Sequence, residues 1–228
     1  MTESITEEIL RGLRAASWAG DGPGLVALLP GLPLTEVLQW VGDALLGAAA
    51  DRVPGAAEAA EQCVALLEER GWEGDEELAS QFEGALGQGP VPLLRPLTAD
   101  LEELSGLLEG DPLSGGGRID LTTGECWPEQ VDIDEEDEGL GRWLPVPCEG
   151  SRDGYRDMEL FITTVADAGF ADRLEIAISG RGAFRRFKDV LARSEDEYSR
   201  YHRFSGERQR GRARAWLAGQ GYRPVGRR

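Results

Sequence analysis

Apolar residues recur at helical spacing through the first ninety positions. Ile5, Ile9, Leu10 and Leu13 form one stripe over Thr6 to Ala16, with Glu7 and Glu8 early, where a helix N-terminus favours anions. Asp21-Gly22-Pro23-Gly24 reads as a breaker. Thr35 is placed to cap a helix from Glu36 to Ala50, with Val37, Leu38, Val41 and Leu45 along one face. After Pro54-Gly55 the pattern predicts a helix over Ala56 to Arg70, closed by Gly71, and another from Asp75 through Leu86. The stretch GQGPVPLLRP (Gly87 to Pro96) cannot sustain a helix and is expected to be a linker, with a further helix from Thr98 to Leu108.

The period then changes. Arg118 to Leu121 and Glu125 to Trp127 flank Thr122-Thr123-Gly124, the pattern of a hairpin with Gly124 in the left-handed position. Trp143 to Pro147 is a short strand, and its prolines suit an edge. Ser151 or Asp153 caps a helix with Met158, Phe161, Ile162 and Val165 at i, i+3, i+4 and i+7. Asp172 to Ser179 contains LEIAI and is expected to be a strand that turns through Gly180-Arg181-Gly182 into a helix from Ala183 to about Ala192. A last helix is expected from Glu207 to Ala218, after which the tail ends the chain. The expected fold class is therefore α+β: an all-helical domain over residues 1–90, then a small α+β domain over 98–228 with a short antiparallel sheet and three helices.

Charge sharpens this division. The 228-residue chain has a formal net charge of -18, yet fourteen Arg or Lys stand against five Asp or Glu from Gly180 to Arg228. A net charge of this sign repels nucleic acid and anionic membrane. The arginine-rich C-terminus is the exception. Within it, GRGAFRRFK (Gly180 to Lys188) places a glycine turn at a helix start, where free N–H groups attract anions. Phe184, Phe187 and Leu191 share a face, which directs Arg185, Arg186 and Lys188 elsewhere; a bland alternative is a solvated basic face with Arg185 paired to Asp189. The candidate anion or partner site comprises Gly180, Arg181, Gly182, Arg185, Arg186 and Lys188, with Arg208 and Arg212 on the final helix. There Arg208, Arg210, Arg212 and Arg214 border the apolar stripe of Ala213, Trp216 and Leu217, a geometry that suits stems over a core edge and heads paired to carboxylates.

Other chemistry is sparse. Asp132 to Glu138 holds six carboxylates in seven residues, but without the central glycine of a calcium loop it reads as solvated. Cys63, Cys126 and Cys148 show no paired spacing, and His202 is the single histidine, so neither a zinc knuckle nor a disulfide framework is expected. A Cys148–His202 dyad lacks local support, and Tyr198, Tyr201 and Phe204 read as core rather than as a base-stacking platform. No catalytic residue, metal or cofactor is expected. With no leader pattern and no span of membrane length, the expected location is cytoplasmic, away from membranes.

Four segments carry a resemblance: IDLTTGECW, SRDGYRDMELFI, GRGAFRRFKDVL and RARAWLAGQGY. In this order, over residues of about 98 to 228, they resemble the bacterial Uncharacterised Protein Family 0158. Its members look like a TGE hairpin, a helix with an M-x-x-F-I core, a G-[KR]-G-A-F-[RK]-x-F motif and a final A-x-x-W-L helix. The first part resembles an actinobacterial-type helical extension. The resemblance implies the domain split and the motif order, and carries no activity or catalytic residue. Three functions follow as expectations: a non-enzymatic binding or regulatory protein meeting a phosphate-bearing or other anionic partner through GRGAFRRFK; a protein-interaction or structural module whose basic C-terminus pairs with acidic surfaces; or a phosphate-directed enzyme. The partner is unknown, a protein or an anionic ligand, with nucleic acid disfavoured by net charge.

Overall fold

The computed structural model describes residues 5–110, 115–131 and 141–226. The first helix, α1 (Glu7–Ala19), opens on Thr6, whose hydroxyl accepts from the Ile9 N–H, and closes on Gly20 in the left-handed region. The helix breaks before Asp21, as expected, but Asp21 also starts a helix that the pattern did not show. It caps a second helix, α2 (Gly22–Leu28), accepting from the Gly24 N–H at 2.9 Å, with Pro23 in the first turn, where no donor is needed. Thr35 falls in a 3-10 turn (Leu34–Glu36) instead of capping, and α3 (Leu38–Ala50) starts after it with no side-chain cap from its own N-terminus. The helices α4 (Ala56–Arg70) and α5 (Asp75–Leu86) occupy the expected positions. Leu13, Leu25, Leu38, Leu45, Leu67, Leu78 and Phe82 from these helices form one core.

The expected linker ends in a strand, β1 (Arg95–Leu97), and the next helix, α6 (Leu101–Leu108), is capped by Asp100, three residues into the stretch expected to be helical. The hairpin of β2 (Gly117–Asp120) and β3 (Cys126–Pro128) forms as expected. Gly124 has φ +80° there, and a Cβ on it would lie 1.9 Å from the Thr98 carbonyl oxygen, so both backbone shape and space demand glycine. The strand β4 (Trp143–Val146) pairs with the other side of β2, giving the order β3-β2-β4 and leaving the prolines on an edge. The acidic run Asp132 to Glu138 lies outside the described residues.

Beyond α7 (Arg152–Ile162) the expected strand at Asp172 to Ser179 is instead a helix, α8 (Ala168–Ile178). The Asp167 side chain accepts from the Phe170 N–H at 3.0 Å and starts it. Phe170, Leu174, Ala177 and Ile178 then share one buried face at i, i+4, i+7 and i+8, which a strand would scatter over two faces. After α9 (Ala183–Leu191), the expected last helix proves to be the second half of α10 (Glu195–Gly219), 25 residues long and capped by Ser194. The tail does not simply end: β5 (Tyr222–Pro224) pairs in parallel with β1, Arg95 opposite Tyr222. The fold is α+β, with a helical N-terminal part and a small antiparallel sheet. Among the described residues the C-terminal part carries five helices, not three, because LEIAI is helical and α6 belongs with it.

Two further cores lie in the C-terminal part. Leu97, Leu104, Ile119, Val146, Ala213 and Leu217 pack between α6, the sheet and α10. Met158, Phe161, Phe170, Leu174, Phe187, Leu191 and Tyr201 pack among α7 to α10. The long helix α10 contributes to both and also packs on α3 and α5.

Candidate functional site

The GRGAFRRFK segment joins two helices. Gly180 and Gly182 have φ +80° and +76° and reverse the chain between α8 and α9. Ala183, Phe187 and Leu191 turn inward, and Phe187 lies edge-on to Phe161 and Tyr201. Phe184, expected on that face, is instead exposed, because the inward stripe runs through Ala183 at i, i+4 and i+8. The four cations of the segment all remain at the surface. Arg181, Arg185 and Lys188 are exposed; the Arg185 side chain is 90% exposed and stands 4.0 Å from Asp189, a loose pair in water. Arg186 has a different role. Its Nε donates to the Ala177 carbonyl at 3.0 Å and its Nη2 donates to the Ser179 carbonyl, so it closes the C-terminal end of α8. The structure therefore leaves Gly180, Arg181, Gly182, Arg185 and Lys188 exposed and ties Arg186 to the end of α8.

Arg208 and Arg212 lie elsewhere. Asp157 of α7 is fully buried; it accepts from Arg208 Nε and takes both terminal nitrogens of Arg212, at 3.2 and 2.8 Å. Arg212 Nε also donates to Glu109 at 2.7 Å. Burial alone would lower the Arg212 pKa; the hydrogen bonds and charges of Asp157 and Glu109 outweigh it and raise it. Arg210 pairs with Glu102 and lies 4.0 Å over the Trp40 ring, and Arg203 Nε donates to Glu36 at 2.9 Å. These arginines are ties between α10 and the elements around it.

The densest ties face the N-terminal helices, along Glu207, Gly211 and Arg214 at i, i+4 and i+7. Gly211 lets two backbones touch: a Cβ on it would lie 2.2 Å from the Glu73 carbonyl oxygen. Glu207 supplies the cap that α3 lacks, accepting from the Gln39 and Trp40 N–H groups at 2.8 and 2.9 Å and from Arg70 Nη1 at 2.8 Å. Burial dominates and raises the Glu207 pKa; the Arg70 charge and the two amides act against it. Asp75 holds the other side of Arg70 at 2.6 Å and accepts from Gln39 Nε2. Arg214 is 0% exposed; its Nε donates to Gln39 Oε1 at 2.7 Å and its Nη1 to Asp43 at 2.8 Å.

Residues 121–228 match the profile of an uncharacterised protein family, UPF0158. The match starts at Leu121, inside the 98–228 stretch that carries the resemblance, and covers the α8–α9 turn and all of α10. No curated protein and no solved structure matches the chain. The matched segment thus supplies both the exposed basic residues and the arginine ties, while Glu36, Asp43, Glu102 and Glu109, which receive several of those ties, lie outside it.

Burial pushes the Cys63 and Cys126 thiols up to about 12, and the Cys148 Sγ donates weakly to the Gly110 carbonyl at 3.4 Å. His202 stacks near Tyr198, ring centroids 4.4 Å apart; desolvation and the Lys188 charge push its pKa down. Tyr201 is buried and Phe204 half-buried in the aromatic core, and Tyr198 stays exposed. Among the described residues no three His, Cys, Asp or Glu side chains are grouped to hold a metal ion, and no helix is long and apolar enough to cross a membrane. The sequence offered no sign of Gln39, Arg70, Asp75 or Glu207 as a network; a glycine four residues after a glutamate inside a helix was the one available signal.

Proposed function

We propose that this is a non-enzymatic binding protein that takes an anionic partner on the open face of α9, through Arg181, Arg185 and Lys188. The observation that supports it most is the contrast between two sets of cations on one segment. Those of α10 are held by carboxylates, whereas these three stand exposed beside a glycine turn. A phosphate-bearing ligand suits a face where side-chain cations flank a helix start. The net charge of -18 confines the attraction to short range, so association rests on local contacts.

Binding of a fluorescent phosphopeptide, measured across salt concentration, tests this. The affinity should fall with salt, and substituting Arg185→Gln with Lys188→Gln should weaken binding and flatten that dependence. Arg186 is unsuitable for this test because its loss frays α8. Absence of binding at low salt by the full chain rejects the proposal. A short oligonucleotide, run in parallel, distinguishes a nucleic-acid partner.

A second reading has its own support. The α10 arginines reach carboxylates of α3, α6 and α7, so the basic C-terminus acts as an interaction module toward acidic surfaces of its own chain. Charge-reversed pairs, such as Arg203→Glu against Glu36→Arg, would then restore part of the stability that either change alone removes.

A further inference from the structure

The segment between α5 and β1 turns its apolar side chains to solvent. Val91 is 71% exposed and Leu93 100%. The backbone that carries them is held at several points. The Leu94 N–H donates to the Pro92 carbonyl at 2.8 Å, which sets Leu93 at the apex of a three-residue turn. Before it, Pro90 and Pro92 restrict the chain, which lies against Gly84 of α5; a Cβ there would meet the Val91 Cα at 3.1 Å and the Pro92 ring at 3.2 Å. After it, the Arg95 N–H donates to the Gly221 carbonyl at 3.0 Å and β1 begins. Leu93 is thus a fixed projection that contributes no burial to the fold. A lone exposed leucine is ordinary, but this one adjoins further apolar surface.

That surface surrounds a recess of about 740 Å³ between the end of α1, the start of α2, α3, α5 and residues 223–226. Trp18, itself 71% exposed, lines it with Pro23, Ala44 and Ala85, and so do Val91 and Pro92. A Cβ built on Gly47 of its α3 wall would meet nothing within 4 Å. Projection and recess therefore adjoin, since Leu93 follows directly on two residues of the wall. Charge divides in the same way. Asp51 lines the recess, exposed and with no partner among the described residues. Arg95, two residues beyond Leu93, is exposed; its guanidinium rests 4.2 Å over the Tyr222 ring and meets no carboxylate among the described residues.

We propose that this face joins two copies of the chain about a twofold axis, each copy seating its Leu93 in the recess of the other. The adjacency of projection and recess suits that symmetry. A twofold rotation that seats one Leu93 seats both, and it brings the Arg95 of each copy toward the Asp51 of the other. Leu93, Val91 and the Trp18 indole then leave water together. Opposite local charges favour this seating although each copy carries -18 overall. No residue of the basic α9 face takes part, so this proposal and the anionic-partner reading stand or fall separately.

Sedimentation equilibrium of the full chain at physiological salt, from about 1 µM to about 500 µM, tests it. A monomer–dimer equilibrium with a Kd below about 100 µM is expected. Leu93→Asp changes a fully exposed side chain, and Gly47→Phe fills the recess from α3. Each should weaken association about tenfold or more and leave Tm unchanged; Leu93→Asp carries the test if Gly47→Phe fails to fold. Asp51→Arg and Arg95→Asp each set like charges against one another and should weaken association about threefold or more. Mixing these two variants in equal amounts should restore the parent affinity, because the mixed dimer matches both pairs, which only a twofold interface allows. A parent that stays monomeric throughout, assemblies that grow past the dimer, a Leu93→Asp protein that dimerises like the parent, or a mixture no tighter than its components overturns the proposal.

Discussion

Replacing Gly211 with alanine reverses an ordinary expectation. In the middle of an exposed helix, Gly→Ala stabilises by about 1 kcal/mol, because alanine loses less backbone entropy. Here the new methyl would lie 2.2 Å from the Glu73 carbonyl oxygen and 3.8 Å from Gln39 Nε2. The first clash is with backbone, so no side-chain rotation relieves it, and α10 must retreat by about 1 Å to restore contact distance. Glu207 lies one turn earlier on the same face. Its bonds to the Gln39 and Trp40 N–H groups and to Arg70, at 2.8 to 2.9 Å, stretch beyond useful length with that retreat. Bonds to a charged group are worth about 1.5–3 kcal/mol each and are not additive. Set against the propensity gain, the net loss is about 2–4 kcal/mol. For a chain of this size that lowers Tm by roughly 5–15 °C. Calorimetry on Gly211→Ala and on Gly219→Ala measures it. Gly219 ends α10 with nothing within 4 Å of a built Cβ, and its variant should stay within about 0.5 kcal/mol of the parent. A Gly211→Ala protein as stable as the parent, or more so, would refute the close seating of α10 on the α4–α5 turn.

Two other predictions follow from the same contacts. Glu207→Gln removes the charge that caps α3 and pairs Arg70, and should cost about 2–3 kcal/mol in urea unfolding, with α3 amides losing hydrogen-exchange protection first. Asp120 is buried; burial would raise its pKa, but Arg142 and the Thr122 N–H and hydroxyl outweigh it and hold the carboxyl well below the usual range. The stability it contributes is therefore present above the unfolded-state pKa of about 3.9 and is lost as pH falls through the lower folded value. Asp120→Asn should be less stable than the parent at neutral pH, and the gap should narrow below about pH 4 in paired urea titrations; a constant gap contradicts the assignment.

The helices α4 and α5 were legible because glycine or aspartate punctuates both ends of a clear apolar stripe. LEIAI alternates like a strand over five residues, but the spacing from Phe170 to Ile178 and the Asp167 cap favour a helix. Gly206 and Gly211 hid the length of α10: inside a sequence they look like breaks, and their reason, contact with a distant turn and with Arg210, exists only in three dimensions. β1 and β5 are three residues each and lie far apart in the chain, so neither shows alternation and their pairing was invisible. Of the candidate site, the exposure of Arg185 and Lys188 follows from the Phe187–Leu191 stripe. The bonds of Arg186 do not, since its acceptors are carbonyls at the end of α8, where the pattern predicts a strand.

The central claim is that the positive charge of the C-terminal segment is divided, tied within the fold along α10 and open on α9. Nitrogen-15 spectra of the arginine Nε–H groups at neutral pH test it directly. The Nε–H signals of Arg203, Arg208, Arg212 and Arg214, which donate to Glu36, Asp157, Glu109 and Gln39, should persist and exchange slowly with water, while those of Arg181 and Arg185 exchange fast. Arg212 and Arg214 signals that exchange as fast as those of Arg181 would contradict the account.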